Sequence, residues 1–308
     1  MISNTTQNNG IAIALTTAFV SGFAVFINKF GVVFWVNSSA YTTAKNLVAA
    51  MILTACVLLW GKMGELRRLS KKQWVQLLLI AFVGGSVPFL LFFKSLTIIS
   101  ATEAAFIHKT LFVWVAIMAL PFLKERLGII QLFGLLALFL AVYIAGAPAK
   151  WSLGAGSAMA LGATMLWAAE TIIVKKTLAG ISTTTVAWAR MFFGSLFLML
   201  WLLFTGEIAD VIPSSLSQGF WAVGVGVVLF GYVIGWYSAL QRAPATIVSS
   251  VLVLAAPITA ILDGAMMRRA VPTKIIIYFA LALLGIFLMT KLEYYYSKFA
   301  KKEEVFSA

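Results

Sequence analysis

The chain has 308 residues, 62% of them hydrophobic and only 11% charged, a balance that cannot be wrapped around one water-facing globule. Its formal charge of +13 does not indicate nucleic acid, because the Lys and Arg residues gather in short segments between long apolar runs. Cys56 is the only cysteine and can form no intrachain disulfide; His108 is the only histidine and has no Cys or carboxylate at ligand spacing, so no metal site and no cofactor are expected.

A run of about 20 apolar residues crosses a bilayer, and ten such runs are predicted, at 10–29, 39–60, 74–96, 101–121, 128–146, 153–174, 183–204, 218–240, 245–266 and 275–290. No Lys or Arg and no small-residue cleavage pattern precedes the first, which therefore reads as an uncleaved span. The second carries Lys45. The third contains Gly84-Gly85 and Pro88 and ends at Lys94, and the fourth holds Glu103, His108, Lys109 and Trp114. Trp167 and Glu170 lie in the sixth, Arg190 in the seventh and Gly224, Gly226, Gly231, Gly235, Trp236 and Tyr237 in the eighth. Asp263 and Pro257 lie in the ninth, and Pro257 should kink it. The glycines serve either close helix packing or a hinge.

The features return in order at an offset of about 145 positions. Phe93-Lys94-Ser95-Leu96 with Ala101-Thr102 is answered by Tyr237-Ser238-Ala239-Leu240 with Ala245-Thr246, Lys45 by Arg190, and Asn28-Lys29 by Val174-Lys175. The chain divides into repeats at 10–146 and 153–290, followed by a tail at 291–308 that is expected to be cytoplasmic, with Tyr294, Tyr295 and Tyr296 as an interfacial anchor. Five spans per half is odd, so the second repeat enters from the opposite side and the repeats are inverted. Internal duplication of this kind marks transporters whose site lies where the repeats meet.

An even number of spans puts both termini on one side. With that side cytoplasmic, fourteen Lys and Arg residues lie inside against five outside, in agreement with the positive-inside rule, although Arg268-Arg269 falls on the outer side. Short loops and the absence of a presequence suggest a prokaryotic cytoplasmic membrane.

The paired Leu96…Ala101-Thr102 and Leu240…Ala245-Thr246 junctions, Ala256-Pro257-Ile258, Lys124-Glu125-Arg126-Leu127 and the basic residue in the second helix of each half resemble the EamA-type ten-helix branch of the drug/metabolite transporter superfamily. The resemblance covers 10–290. It implies an all-α membrane protein with ten transmembrane helices, built as two inverted five-helix repeats around a central cavity that opens alternately to the two sides. The family's proline in the fourth helix is Val113 here, which implies a helix straighter than its partner, the ninth. Where the second repeat has Leu252 and Val253, the first has His108-Lys109.

Ionisable groups inside a span are costly and pair with one another or meet a substrate. Lys109 lies too deep to snorkel and has no acidic residue one turn away, which makes it the first substrate-binding candidate, with His108, Trp114, Trp167, Trp236 and Tyr237 around it. His108 either titrates or contacts substrate, or is a buried neutral ring; only one of His108 and Lys109 can point straight at the axis. Glu170 and Arg190 share a depth on consecutive helices, which invites a salt bridge. Glu103, Glu170 and Lys94 are coupling or gating candidates, and Lys45 ties its helix to a neighbour's carbonyls or carboxylate.

These features favour a secondary transporter, in the export direction, of a small organic metabolite: either an amino acid or an organic or phosphate anion, with protons as a candidate coupling ion. The alternative is a proton-coupled exporter of lipophilic cations, which an ammonium at mid-depth would disfavour. No catalytic motif supports an enzyme.

Overall fold

The computed structural model describes residues 4–148, 150, 154–266, 268 and 270–306. Fourteen α-helices follow in chain order: α1 (Asn4–Val32), α2 (Ser38–Leu59), α3 (Met63–Arg68), α4 (Lys71–Gly85), α5 (Val87–Leu96), α6 (Ala101–Lys109), α7 (Leu111–Leu123), α8 (Ile129–Gly146), α9 (Ala155–Thr177), α10 (Thr183–Phe204), α11 (Leu216–Arg242), α12 (Ala245–Val251), α13 (Ala255–Met266) and α14 (Thr273–Phe306). Among the described residues, ten helical stretches are long and apolar enough to cross a membrane. The third span is α4 with α5, the fourth α6 with α7, and the ninth α12 with α13. The side chains of the Tyr294–Tyr296 anchor, and Arg269 of the outer arginine pair, lie outside the described residues.

Local sequence sets the starts of these helices. Asn37 accepts from the Ser39 and Ala40 amides, Ser70 and Gln73 form a capping box, and the Ser100 and Ser215 hydroxyls cap α6 and α11. Large apolar side chains such as Phe82, Leu136, Leu200, Val227 and Leu284 stay exposed on the outer faces of the spans, as lipid contact requires.

Contacts between distant loops fix which ends share a side of the membrane. Asn37 Nδ2 donates to Glu207 Oε2 at 2.8 Å and Gln218 Nε2 to the Phe34 carbonyl at 2.8 Å, so the 33–37 and 205–218 segments lie together. At the other end Glu65 accepts from the Ser182 amide at 2.7 Å, the Ser182 hydroxyl at 2.6 Å and the Thr185 hydroxyl at 2.8 Å, capping α10. Partial burial pushes the Glu65 carboxyl up, but these hydrogen bonds and the Lys62 charge outweigh it and hold the group below its ordinary pKa of 4.5. Both contacts agree with an inverted path through the bilayer.

Three spans are broken, each for a readable reason. In the third, Ser86 leaves helical geometry (φ −138°, ψ −70°) and Pro88 stands in the first turn of α5, so the Gly84 carbonyl loses its usual amide partner four residues on. In the ninth, Pro257 frees the Val253 carbonyl in the same way; the turn tightens to 3-10 geometry over Leu252–Leu254, and the buried Tyr278 hydroxyl of α14 donates to Val253 O at 2.9 Å. The fourth span was expected to be the straighter partner of the ninth, because it lacks the proline, but it breaks at Thr110. There the Thr110 hydroxyl and amide both bond the Ile107 carbonyl, at 2.7 and 3.1 Å, and a threonine bonding back along its own helix bends it without a proline.

The eighth span, by contrast, runs unbroken as α11, which favours packing over a hinge for its glycines. A Cβ on Gly226 would lie 2.6 Å from Val48 Cβ, and one on Gly235 2.5 Å from Thr17 Oγ1, whereas Gly224 and Gly231 meet nothing within 4 Å.

Candidate functional site

The charged centre forms where the broken third span meets the sixth, seventh and eighth. Because Pro88 has released the Gly84 carbonyl, two side chains from the second half satisfy it: Trp167 Nε1 at 3.2 Å and Arg190 Nη2 at 3.2 Å. Arg190 Nε also lies 3.2 Å from Glu170 Oε1, close enough to form an ion pair though off the hydrogen-bond line, and the Tyr237 hydroxyl donates to the same carboxylate oxygen. Glu170, Arg190 and Tyr237 are 3%, 8% and 0% exposed, so the charges are balanced inside the protein rather than by water. Gly84 and Gly85 permit this approach. A Cβ on Gly84 would sit 2.3 Å from Glu170 Cγ, and one on Gly85 2.7 Å from the Arg190 carbonyl.

Aromatic rings join this centre to the fourth span. Trp167 lies edge-on to His108 with ring centroids 4.7 Å apart, and Phe92 touches both, at 5.9 Å from Trp167 and 5.5 Å from His108. The His108 Nδ1 atom is buried and has no hydrogen-bond partner. Lys109 is half-buried, and among the described residues it has neither an ion-pair nor a hydrogen-bond partner.

The other predicted site residues fall elsewhere. Trp114 Nε1 donates to Thr110 Oγ1 at 3.1 Å, which places it at the break in its own span. Trp236 stacks on Tyr232, with centroids 6.5 Å apart and planes 12° apart. Glu103 is buried and accepts from Ser157 Oγ at 2.6 Å. Lys94 is exposed at the end of α5. Lys45 Nζ donates to Asn28 Oδ1 at 2.9 Å, above the Tyr41 ring, so its tether is a neutral side-chain amide on α1 rather than a carbonyl of the main chain or a carboxylate.

The carbonyl acceptors and one clamp were not anticipated. The signal for Gly84 and Val253 was present in the proline four residues after each. The clamp is Glu125, just past α7, whose carboxylate accepts from the Ala245 amide at 2.7 Å, the Thr246 amide at 3.1 Å and the Thr246 hydroxyl at 2.7 Å. A recess of about 260 Å³ opens between α1 and α11, lined by Ala12, Ile13, Thr16, Thr17, Val20, Gly231 and Gly235.

Three comparisons with known proteins bear on this arrangement. A solved crystal structure superposes with a TM-score of 0.77 over 92% of this chain and 97% of that one, at 15% identity, which establishes the likeness of fold. An uncharacterized transporter of Archaeoglobus fulgidus is 25% identical over 286 residues, 91% of this chain and 98% of that one. The signature of the EamA-like transporter family matches twice, over residues 8–147 and 154–291, once for each half of the ten-span fold. The chain therefore belongs to the EamA-like transporter family, and is an integral membrane transporter of small molecules.

Proposed function

We propose that the protein is a secondary transporter of small organic anions carrying a carboxylate or phosphate, that Lys109 is the substrate anchor, and that the two halves alternate access to it. One observation carries this reading. Each of the three carboxylates inside the spans has a partner: Glu170 has Arg190 and Tyr237, Glu103 has Ser157, and Asp263 has Lys29. Lys109, about 12 Å into its span at 1.5 Å per residue, has none among the described residues. An unpaired ammonium at that depth is costly unless an anion meets it. With the carboxylates engaged, nothing comparable is left for a second, cationic group, so an anion fits better than an amino acid zwitterion, and a lipophilic cation fits worst.

Export follows from the same charge. With both termini cytoplasmic, an inside-negative potential drives an anion outward by about 2.3 kcal/mol per charge per 100 mV. His108 and Trp167 supply an aromatic wall beside the anchor, and Trp114 is placed to report on the Thr110 break.

The test is thermal stabilisation of purified protein by dicarboxylates, sugar phosphates, amino acids and tetraphenylphosphonium, in parallel with Lys109→Ala. A ligand at about 100 times its dissociation constant adds about 2.7 kcal/mol by mass action. Stabilisation by an anion that disappears in Lys109→Ala is the expected result. Stabilisation by tetraphenylphosphonium alone, equal in both proteins, would overturn this reading in favour of lipophilic-cation export.

A further inference from the structure

The two ends of the repeat fold are not closed alike. At the end that carries the chain termini, α12 packs against α7, and every residue from Ala245 to Val251 is buried. The mate of this contact at the opposite end would join α6 to α13, but these helices make no comparable contact, and Thr97, Ile98, Ser100, Ala101 and Thr102 are exposed. The 240–246 junction is gripped from two sides. Lys175 Nζ donates to the Leu240 and Ala243 carbonyls, and Glu125 takes the Ala245 and Thr246 amides and the Thr246 hydroxyl. At the opposite end the mate of Lys175, Lys29, is paired with Asp263 instead.

Among the described residues only one end has the clamp, and the sequence explains why. Lys124 and Arg268, 144 positions apart, are the non-glycine residues with positive φ among the described ones, at 56° and 50°, so a left-handed residue follows the fourth span and the ninth alike. In the sequence the residue 144 positions after Glu125 is Arg269, a cation where the clamp needs an acceptor. A carboxylate satisfies free amides at a helix start, and a guanidinium, which only donates, cannot.

We propose that Glu125 is a gating residue: its carboxylate latches α12 to α7 and closes the terminus-bearing side of the membrane, and the lack of a mate leaves the resting protein open to the opposite side. Glu125 belongs to the first half and α12 to the second, so breaking the latch frees the two halves to exchange the closed end for the open one. The inference rests on alternating access and not on the identity of the substrate.

The test reads exposure, not transport, so it is independent of the anion reading. In a Cys56→Ala background, Ser249→Cys places a reporter thiol on α12, where Ser249 is 3% exposed, and Thr102→Cys places one at the open end. Membrane-impermeant maleimide is applied from either side of vesicles. In Glu125→Gln the Ser249 reporter should label about tenfold faster from the terminus-bearing side, a shift of about 1.4 kcal/mol, while labelling of Thr102→Cys from the opposite side slows. Glu125→Asp, which keeps the acceptor charge, should restore most of the wild-type pattern. If Glu125→Gln does not fold, Thr246→Val removes one of the bonds and should give a smaller shift in the same direction. Unchanged labelling in a folded variant, or faster labelling from both sides alike, would reduce Glu125 to a structural cap and overturn the proposal.

Discussion

Arg190→Ala is expected to lower stability by about 3–5 kcal/mol, because it leaves Glu170 as a buried charge without its counter-ion and strips the Gly84 carbonyl of one of its two donors. Thermal melting in detergent measures the loss. Arg190→Lys should recover only part of it, since an ammonium keeps the charge but cannot reach Glu170 and Gly84 as a planar fork does. The double variant Arg190→Ala with Glu170→Gln should be more stable than Arg190→Ala alone, because the stranded charge has been removed. If the single variant melts like the wild type, the ion pair is incidental to the fold.

Gly84→Ala should be the next most damaging change, by about 1–3 kcal/mol, the usual cost of forcing extra volume into a packed core. The new methyl would sit 2.3 Å from Glu170 Cγ, and that side chain cannot swing aside without giving up Arg190 and Tyr237. Gly231→Ala is the control: nothing lies within 4 Å of that position, and a helix interior favours Ala over Gly, so the control should melt at or slightly above the wild-type temperature. Equal melting of the two variants would mean that the third span does not press on Glu170.

Much of the architecture was legible because it is written in one-dimensional patterns. Ten apolar runs, their even number and the 145-residue echo need no knowledge of which helix touches which. Glu170 and Arg190 could be paired from depth alone, since consecutive antiparallel helices return to the same level. What depends on helix crossings was not legible. That the Gly84 carbonyl meets Trp167 and Arg190 follows from how α4 crosses α9 and α10, and the Glu125 clamp joins residues 120 and 121 positions apart in different halves. Lys45 ended on Asn28, a neutral partner that no charge-matching argument would select. The fourth span is not straight. Without the proline the span still breaks, because the Thr110 hydroxyl makes the break by a different route.

The placement of His108 and Lys109 bears on function most directly. One residue faces the rings of Trp167 and Phe92, and the other has no charge partner among the described residues. In the second half the same positions are Leu252 and Val253, apolar and within the 3-10 turn, so under the proposed function the anchor belongs to the first repeat alone.

Counterflow in proteoliposomes puts the transport reading to its most direct test. Vesicles are loaded with the anion that stabilises the protein best, and uptake of a labelled trace of the same anion is followed for wild type and Lys109→Ala. Accelerated, saturable uptake into loaded vesicles, lost in Lys109→Ala, is the expected result, because a carrier returns faster when it is loaded. Uptake that ignores the internal anion and rises linearly with concentration would contradict alternating access and indicate a channel.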